Sequence, residues 1–159
     1  MKIYLMQHGE ALPKEKDPEK GLSPEGKKQI ELSAKALKKL GIEFDVIISS
    51  PKKRAKQTAE IVAKECGYGG EIVINSVFEP LASPEEAISY LKSLNKENIF
   101  VAGHLPSLAE IASRLLSDTG VSIQFQYGGV CHISVEEEKG KLIFLITPEQ
   151  LRLIAGYSD

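Results

Sequence analysis

Three histidines occur in the chain, and two of them, His8 and His104, follow short apolar runs and stand beside glycines, in Gln7-His8-Gly9 and Gly103-His104-Leu105-Pro106. Apolar, β-rich runs read as buried strands, so both imidazoles are expected at strand ends, where α/β proteins place their ligands. Arg54 opens a helical stretch after a third apolar run, residues 44–48, and the turn Ser49-Ser50-Pro51. A helix N-terminus presents unpaired N–H groups and positive potential, and a guanidinium adds a fork of donors matched to phosphate oxygens. One histidine in such a place reads as a loop cap. Two histidines and an arginine, each delivered to the end of a strand, read as an anion site.

The elements that must position these residues follow from periodicity and punctuation. Residues 2–6 form a first strand, residues 10–22 a polar loop with Pro13 and Pro18, and Ser23-Pro24 an N-cap and first helical position ahead of Ile30, Ala34 and Leu37 at helical spacing. Gly41 ends that helix, residues 44–48 are the second strand, and a helix from Arg54 to Cys66 turns Ala55, Ala59, Ile61 and Val62 inward. Residues 71–74 read as a short strand, Ser83-Pro84 starts a helix to about residue 94, and residues 99–102 form a strand before a helix over 107–117. From Gly128 the alternation of Val130, His132 and Ser134 against Cys131, Ile133 and Val135, the Glu136–Gly140 turn and the run 142–146 predict a hairpin, with a short helical tail from Pro148. Neither a repeat nor a linker interrupts the chain, so residues 1–159 are expected to form one α/β domain: three layers, a mostly parallel mixed sheet flanked by helices, with an antiparallel hairpin added.

Composition excludes several function classes. The 159 residues carry 20 basic and 22 acidic side chains, a net charge of −2, with no basic cluster beyond a solvated helix face, so nucleic acid is not an expected partner. Apolar runs are too short for a membrane span and residues 1–5 lack a leader's apolar stretch, which points to the cytoplasm. Cys66 and Cys131 have no Cys or His at ligand spacing and read as buried thiols, so no metal is implied. The 17 Lys against 3 Arg and 18 Glu against 4 Asp show a bias reported for hyperthermophile proteomes. His132, alternating on a hairpin strand, reads as half-buried packing; Tyr4, Phe44, Phe100 and Phe144 as strand core; Arg114 and Arg152 as surface ion pairs; Glu136 to Glu138 as a solvated turn.

Four segments resemble the histidine phosphatase superfamily, of phosphoglycerate mutase-like fold, and within it the small SixA-type phosphohistidine phosphatases. Met6-Gln7-His8-Gly9-Glu10 is similar to the family's Arg-His-Gly signature, and Leu22-Ser23 through Gly26 and Gln29 to its Leu-Thr-x-x-Gly-x-x-Gln segment. Ser50-Pro51-Lys52-Lys53-Arg54-Ala55-Lys56-Gln57-Thr58-Ala59 resembles its Ser-Pro-x-x-Arg-Ala-x-Gln-Thr-Ala element, and Gly103-His104-Leu105-Pro106 its Gly-His-x-Pro element. The segments stand in family order, and the chain has no room for the mutases' lid insertions. The resemblance implies a hydrolase without cofactor or metal. His8 would be the nucleophile that forms a phosphohistidine intermediate, Arg54 and His104 would bind the phosphoryl oxygens, and Glu79, in Val77-Phe78-Glu79-Pro80-Leu81, falls where relatives carry a general acid.

One position departs from the pattern. Gln7 stands where the family has arginine, replacing a charged fork by a neutral amide. Charge-assisted hydrogen bonds are worth roughly 1.5–3 kcal/mol against about 1 for neutral ones, so phosphate handling is expected to fall by about one to two powers of ten unless Lys52 or Lys53 swings in. Glu10 is expected to face outward or to pair with a base. The expected activity is that of a protein phosphohistidine phosphatase, an open pocket admitting another protein's side chain. The alternatives are a phosphomonoesterase acting on a small phosphate ester such as a sugar phosphate or nucleotide, with Glu79 as acid, and a phosphate-binding module weakened by Gln7.

Overall fold

The computed structural model describes residues 1–156, so residues 157–159 of the expected domain lie outside the described residues. Strands β1 (Lys2–Gln7), β2 (Val46–Ser49), β3 (Val73–Ile74), β4 (Asn98–Gly103), β5 (Val130–Glu136) and β6 (Lys139–Ile146) make one sheet in the order β3-β2-β4-β1-β5-β6. The first four run parallel; β5 is antiparallel to β1, and β6 to β5. This is the mixed sheet expected from the alternating strand and helix patterns. β3 is shorter than the 71–74 expected, and a 3-10 turn over Ser76–Phe78 comes after it.

Five helices cover the two faces: α1 (Pro24–Lys39), α2 (Lys53–Glu65), α3 (Pro84–Ser93), α4 (Ser107–Leu116) and α5 (Pro148–Ile154). Ser23 and Ser83 cap α1 and α3, their hydroxyls accepting from the amides of Gly26 and Glu86, and Thr147 with Gln150 forms a capping box on α5. Strand residues alternate between faces. Ile3, Leu5, Ile48, Ile99 and Val101 therefore pack in one core with Leu91, Leu108 and Ile111 of α3 and α4. Tyr4, Met6, Ile47, Phe100 and Ala102 pack in the other with Ile30, Leu37, Val62 and Leu151 of α1, α2 and α5.

Several single residues differ from expectation. His132 is buried rather than half-buried: it lies opposite Tyr4 on β1 and stacks on its ring at 4.1 Å, and both its ring nitrogens lack hydrogen-bond partners. Burial holds its pKa below the usual imidazole value, so it behaves as an aromatic core residue. Phe44 lies ahead of β2, and both Phe44 and Phe144 are only half-buried. Cys66 and Cys131 are free thiols that burial pushes up to about 11. Arg114 pairs with Glu85 at the surface, as expected. Among the described residues, no helix is long and apolar enough to cross a membrane.

Candidate active site

The strand order decides the site. β4 lies between β2 and β1, so three adjacent parallel strands end side by side and bring Ser50, His104 and His8 to one edge of the sheet. The His8 amide donates to Gly103 O at 3.0 Å and the Ser50 amide to Ala102 O at 3.2 Å, which ties the three turns together. The rings of His8 and His104 lie 5.1 Å apart.

The hydrogen bonds fix which nitrogen of His8 is reactive. Its Nδ1 lies 2.7 Å from Gly9 O, and a carbonyl can only accept, so Nδ1 carries the proton. The lone pair is then on Nε2, which accepts from Arg54 Nε–H at 3.3 Å. Burial, with smaller help from Arg54 and Lys20 and against the Gly9 bond, lowers the His8 pKa to about 4, so the ring is neutral at physiological pH.

His104 is held by a hydroxyl. Its Nε2 lies 2.6 Å from Ser50 Oγ, which also accepts from the Lys52 amide at 3.2 Å. With the hydroxyl as donor to His104 Nε2, the ring carries its proton on Nδ1, a buried atom with no hydrogen-bond partner among the described residues. Burial first, then His8, Arg54 and Lys52, lower its pKa to about 3.

The remaining motif residues build this geometry. Thr58 Oγ1 accepts from the Gly9 amide at 3.1 Å and donates to Arg54 O at 2.8 Å, clamping the turn after His8 onto the first turn of α2. Gln57 Oε1 accepts from the Leu22 amide at 2.6 Å. A Cβ on Gly26 would fall 2.2 Å from Glu10 O, so only glycine lets α1 approach this turn. Glu10 is exposed, and its carboxylate accepts from Ser23 Oγ at 2.9 Å. Lys53 cannot compensate for Gln7: its ammonium is bound to Asp17 at 2.9 Å, while Lys52 is exposed and its charge reaches the site only at a distance.

The comparisons with known proteins bear on this constellation. Residues 3–78 match the histidine phosphatase superfamily (branch 1). An uncharacterised protein of Picosynechococcus is 30% identical over 141 residues, covering 82% of each chain. The chain belongs to the histidine phosphatase superfamily. Over 77 residues, 48% of its length, this superfamily member is 40% identical to the mitochondrial serine/threonine-protein phosphatase Pgam5 of Drosophila ananassae, of which the match spans only 27%. A structure of the protein histidine phosphatase SixA complexed with tungstate superposes with a TM-score of 0.88 at 23% identity, covering 95% of this chain and 99% of that one. At that identity the likeness establishes the fold, the phosphoglycerate mutase-like one.

Gln7, the departure from the superfamily signature, ends β1 beside His8, and its Oε1 is buried without a partner. It lines a 400 Å³ cleft with Leu105, Phe125, Gln126, Tyr127 and Glu149. Glu79 makes no hydrogen bond to the cluster. It lies beyond β3, which β2 and β4 separate from β1, and its half-buried carboxylate has no hydrogen-bond partner among the described residues. Among the described residues, no group of three or more His, Cys, Asp or Glu could hold a metal ion.

Sequence reasoning missed Tyr127. It sits in the irregular segment before β5 with its ring 5.5 Å from that of His8, held there because the Gly128 amide, at φ +75°, donates to Gln7 O at 2.9 Å. The pair Gly128-Gly129 was the only trace of this in the sequence, and it reads equally as a hairpin entry.

Proposed function

We propose that the protein is a metal-independent phosphatase that works through a phospho-His8 intermediate, and that its substrate is a phosphohistidine on another protein. The carrying observation is the His8 tautomer: Nδ1–H on the Gly9 carbonyl leaves the Nε2 lone pair facing Arg54. In the first step that lone pair attacks phosphorus, the bond to the leaving nitrogen breaks, and its electron pair returns to the substrate imidazole, which takes a proton. In the second step water attacks the phosphorus of phospho-His8, inorganic phosphate leaves, and the lone pair returns to Nε2. Arg54, His104 through Nδ1–H, and Gln7 hold the phosphoryl oxygens, where positioned donors act most strongly as charge develops.

Three observations support a protein substrate. The cleft beside Gln7 is walled by the exposed Leu105 and Tyr127, which suits a side chain brought in from outside. Both SixA and Pgam5 are named as protein phosphatases. An imidazole also leaves more readily than an alkoxide, so a general acid matters less for this substrate than for an ester. Glu79 as general acid is the feature that an ester substrate would require.

Phosphate release from a phosphohistidine-bearing protein, measured in chelator with the native protein and His8→Ala at equal concentration, tests this reading. Release by the native protein alone is the expected result. Release by neither, or equal release by both, overturns it.

A further inference from the structure

The site holds fewer charges than its size suggests. Four polar groups converge on it from separate elements: His8 after β1, Ser50 after β2, His104 after β4, and Arg54 in the first turn of α2, with Gln7 preceding His8 at the end of β1. Of these only Arg54 is charged, since both imidazoles are neutral at physiological pH. Lys20 and Lys52 act on the histidines from exposed positions and are screened by water, and Lys53 is bound to Asp17. Tyr127 faces Arg54 and His8 from the segment before β5, and the Glu149 carboxylate of α5 lines the same cleft as Gln7. The charge in contact range is thus a single guanidinium, with a carboxylate at the cleft wall.

The hydrogen-bonding side of the balance agrees. Gln7 Oε1 is a buried acceptor, and no donor among the described residues reaches it. A fully ionised phosphoryl group brings only acceptors, and an acceptor facing an acceptor in a buried site is unfavourable. A singly protonated one brings one P–O–H donor together with one negative charge.

We propose that Gln7 selects the charge state of the ligand: the pocket takes a phosphoryl group as its monoanion, with the P–O–H proton donated to Gln7 Oε1 and the ionised oxygens turned to Arg54. This rests on the reading of the cluster as a phosphoryl site and assigns it a substrate form. A phosphohistidine meets this requirement when its phosphoryl group, and not only its ring, carries a proton, since a ring proton leaves all three phosphoryl oxygens as acceptors. The departure at Gln7 is then a change of selectivity and not simply a loss of affinity.

Binding of inorganic phosphate and of sulfate, measured by calorimetry from pH 5 to 8, tests the proposal without turnover. Sulfate has the same shape and stays a dianion throughout. Phosphate affinity of the native protein is expected to fall about tenfold per pH unit above the second ionisation of phosphate, because only the monoanionic fraction binds, and sulfate is expected to bind at least about tenfold more weakly than phosphate at pH 5. In Gln7→Arg the phosphate trend is expected to reverse and sulfate binding to strengthen. Native phosphate affinity that rises through the same window, or sulfate bound as well as phosphate, overturns the selectivity while leaving the phosphoryl site standing. Failure to bind either anion at any pH overturns both. The comparison of the two anions needs no variant, so it decides the matter even if Gln7→Arg misfolds.

Discussion

The hydroxyl of Ser50 and the Nε2 of His104 meet at 2.6 Å although 54 residues separate them in sequence. With the hydroxyl, which also accepts from the Lys52 amide, as donor in that bond, the His104 proton stands on Nδ1. Ser50→Ala removes the donor and lets the imidazole keep its proton on either nitrogen. Turnover is expected to fall about tenfold, and the unfolding free energy to fall by roughly 1–3 kcal/mol because one buried partner is left unpaired; equal turnover in Ser50→Ala and the native protein would show that the tautomer does not matter to the reaction.

The two histidines also set the acid limit of the protein. In the unfolded chain they return to about 6.5, against about 4 for His8 and about 3 for His104 in the folded state. Between pH 6.5 and 4 the unfolded state therefore binds protons that the folded state refuses, and stability falls as pH falls through that window. His8 alone accounts for a loss of roughly 3 kcal/mol by pH 4. Urea unfolding of the native protein and His8→Ala at pH 7 and at pH 4.5 checks this: the native protein is expected to lose more stability than the variant.

The same displacement governs activity. The free enzyme's acid limb in kcat/KM, which reports loss of the neutral nucleophile, is expected near pH 4. A limb near 6.5 would mean that substrate-free His8 is not the buried, Arg54-facing imidazole seen here.

Gly26 is expected to tolerate no side chain. Its missing Cβ would stand 2.2 Å from Glu10 O, a backbone atom that cannot swing away. Gly26→Ala is expected to destabilise the fold by roughly 1–3 kcal/mol in urea unfolding and to lower turnover, since the displaced strand of backbone carries Gly9, the acceptor for His8 Nδ1–H.

Glu79→Gln separates the substrate classes. Loss of a general acid lowers turnover by about a hundredfold or more where the leaving group needs a proton. A small phosphate ester is expected to suffer that loss if it is turned over at all, and a phosphohistidine protein a smaller one. Equal losses on both would place the Glu79 carboxylate in contact with either substrate.

The strand and helix pattern was legible because it depends on local rules. Ser-Pro starts at 23–24 and 83–84 place α1 and α3, and apolar alternation places the hairpin. The His8, Arg54 and His104 segments stood out because glycine and proline turns come directly after short apolar strands there. Residue types alone also showed that Gln7 replaces a charged fork with an amide.

Tertiary structure decided the rest, since it depends on which strands are neighbours in the sheet and not on their order along the chain. Insertion of β4 between β1 and β2 is what brings Ser50 to His104 and His104 to His8. The protonated nitrogen of His8 was set by a carbonyl, and His104 was held by a hydroxyl, whose positions no periodicity encodes. Tyr127 reached His8 only through one backbone hydrogen bond from Gly128 to Gln7, Lys53 was taken out of the site by Asp17, and His132 was drawn into the core by the ring of Tyr4 across the β1–β5 pair. Composition and spacing named the chemical groups; long-range packing set their protonation and charge.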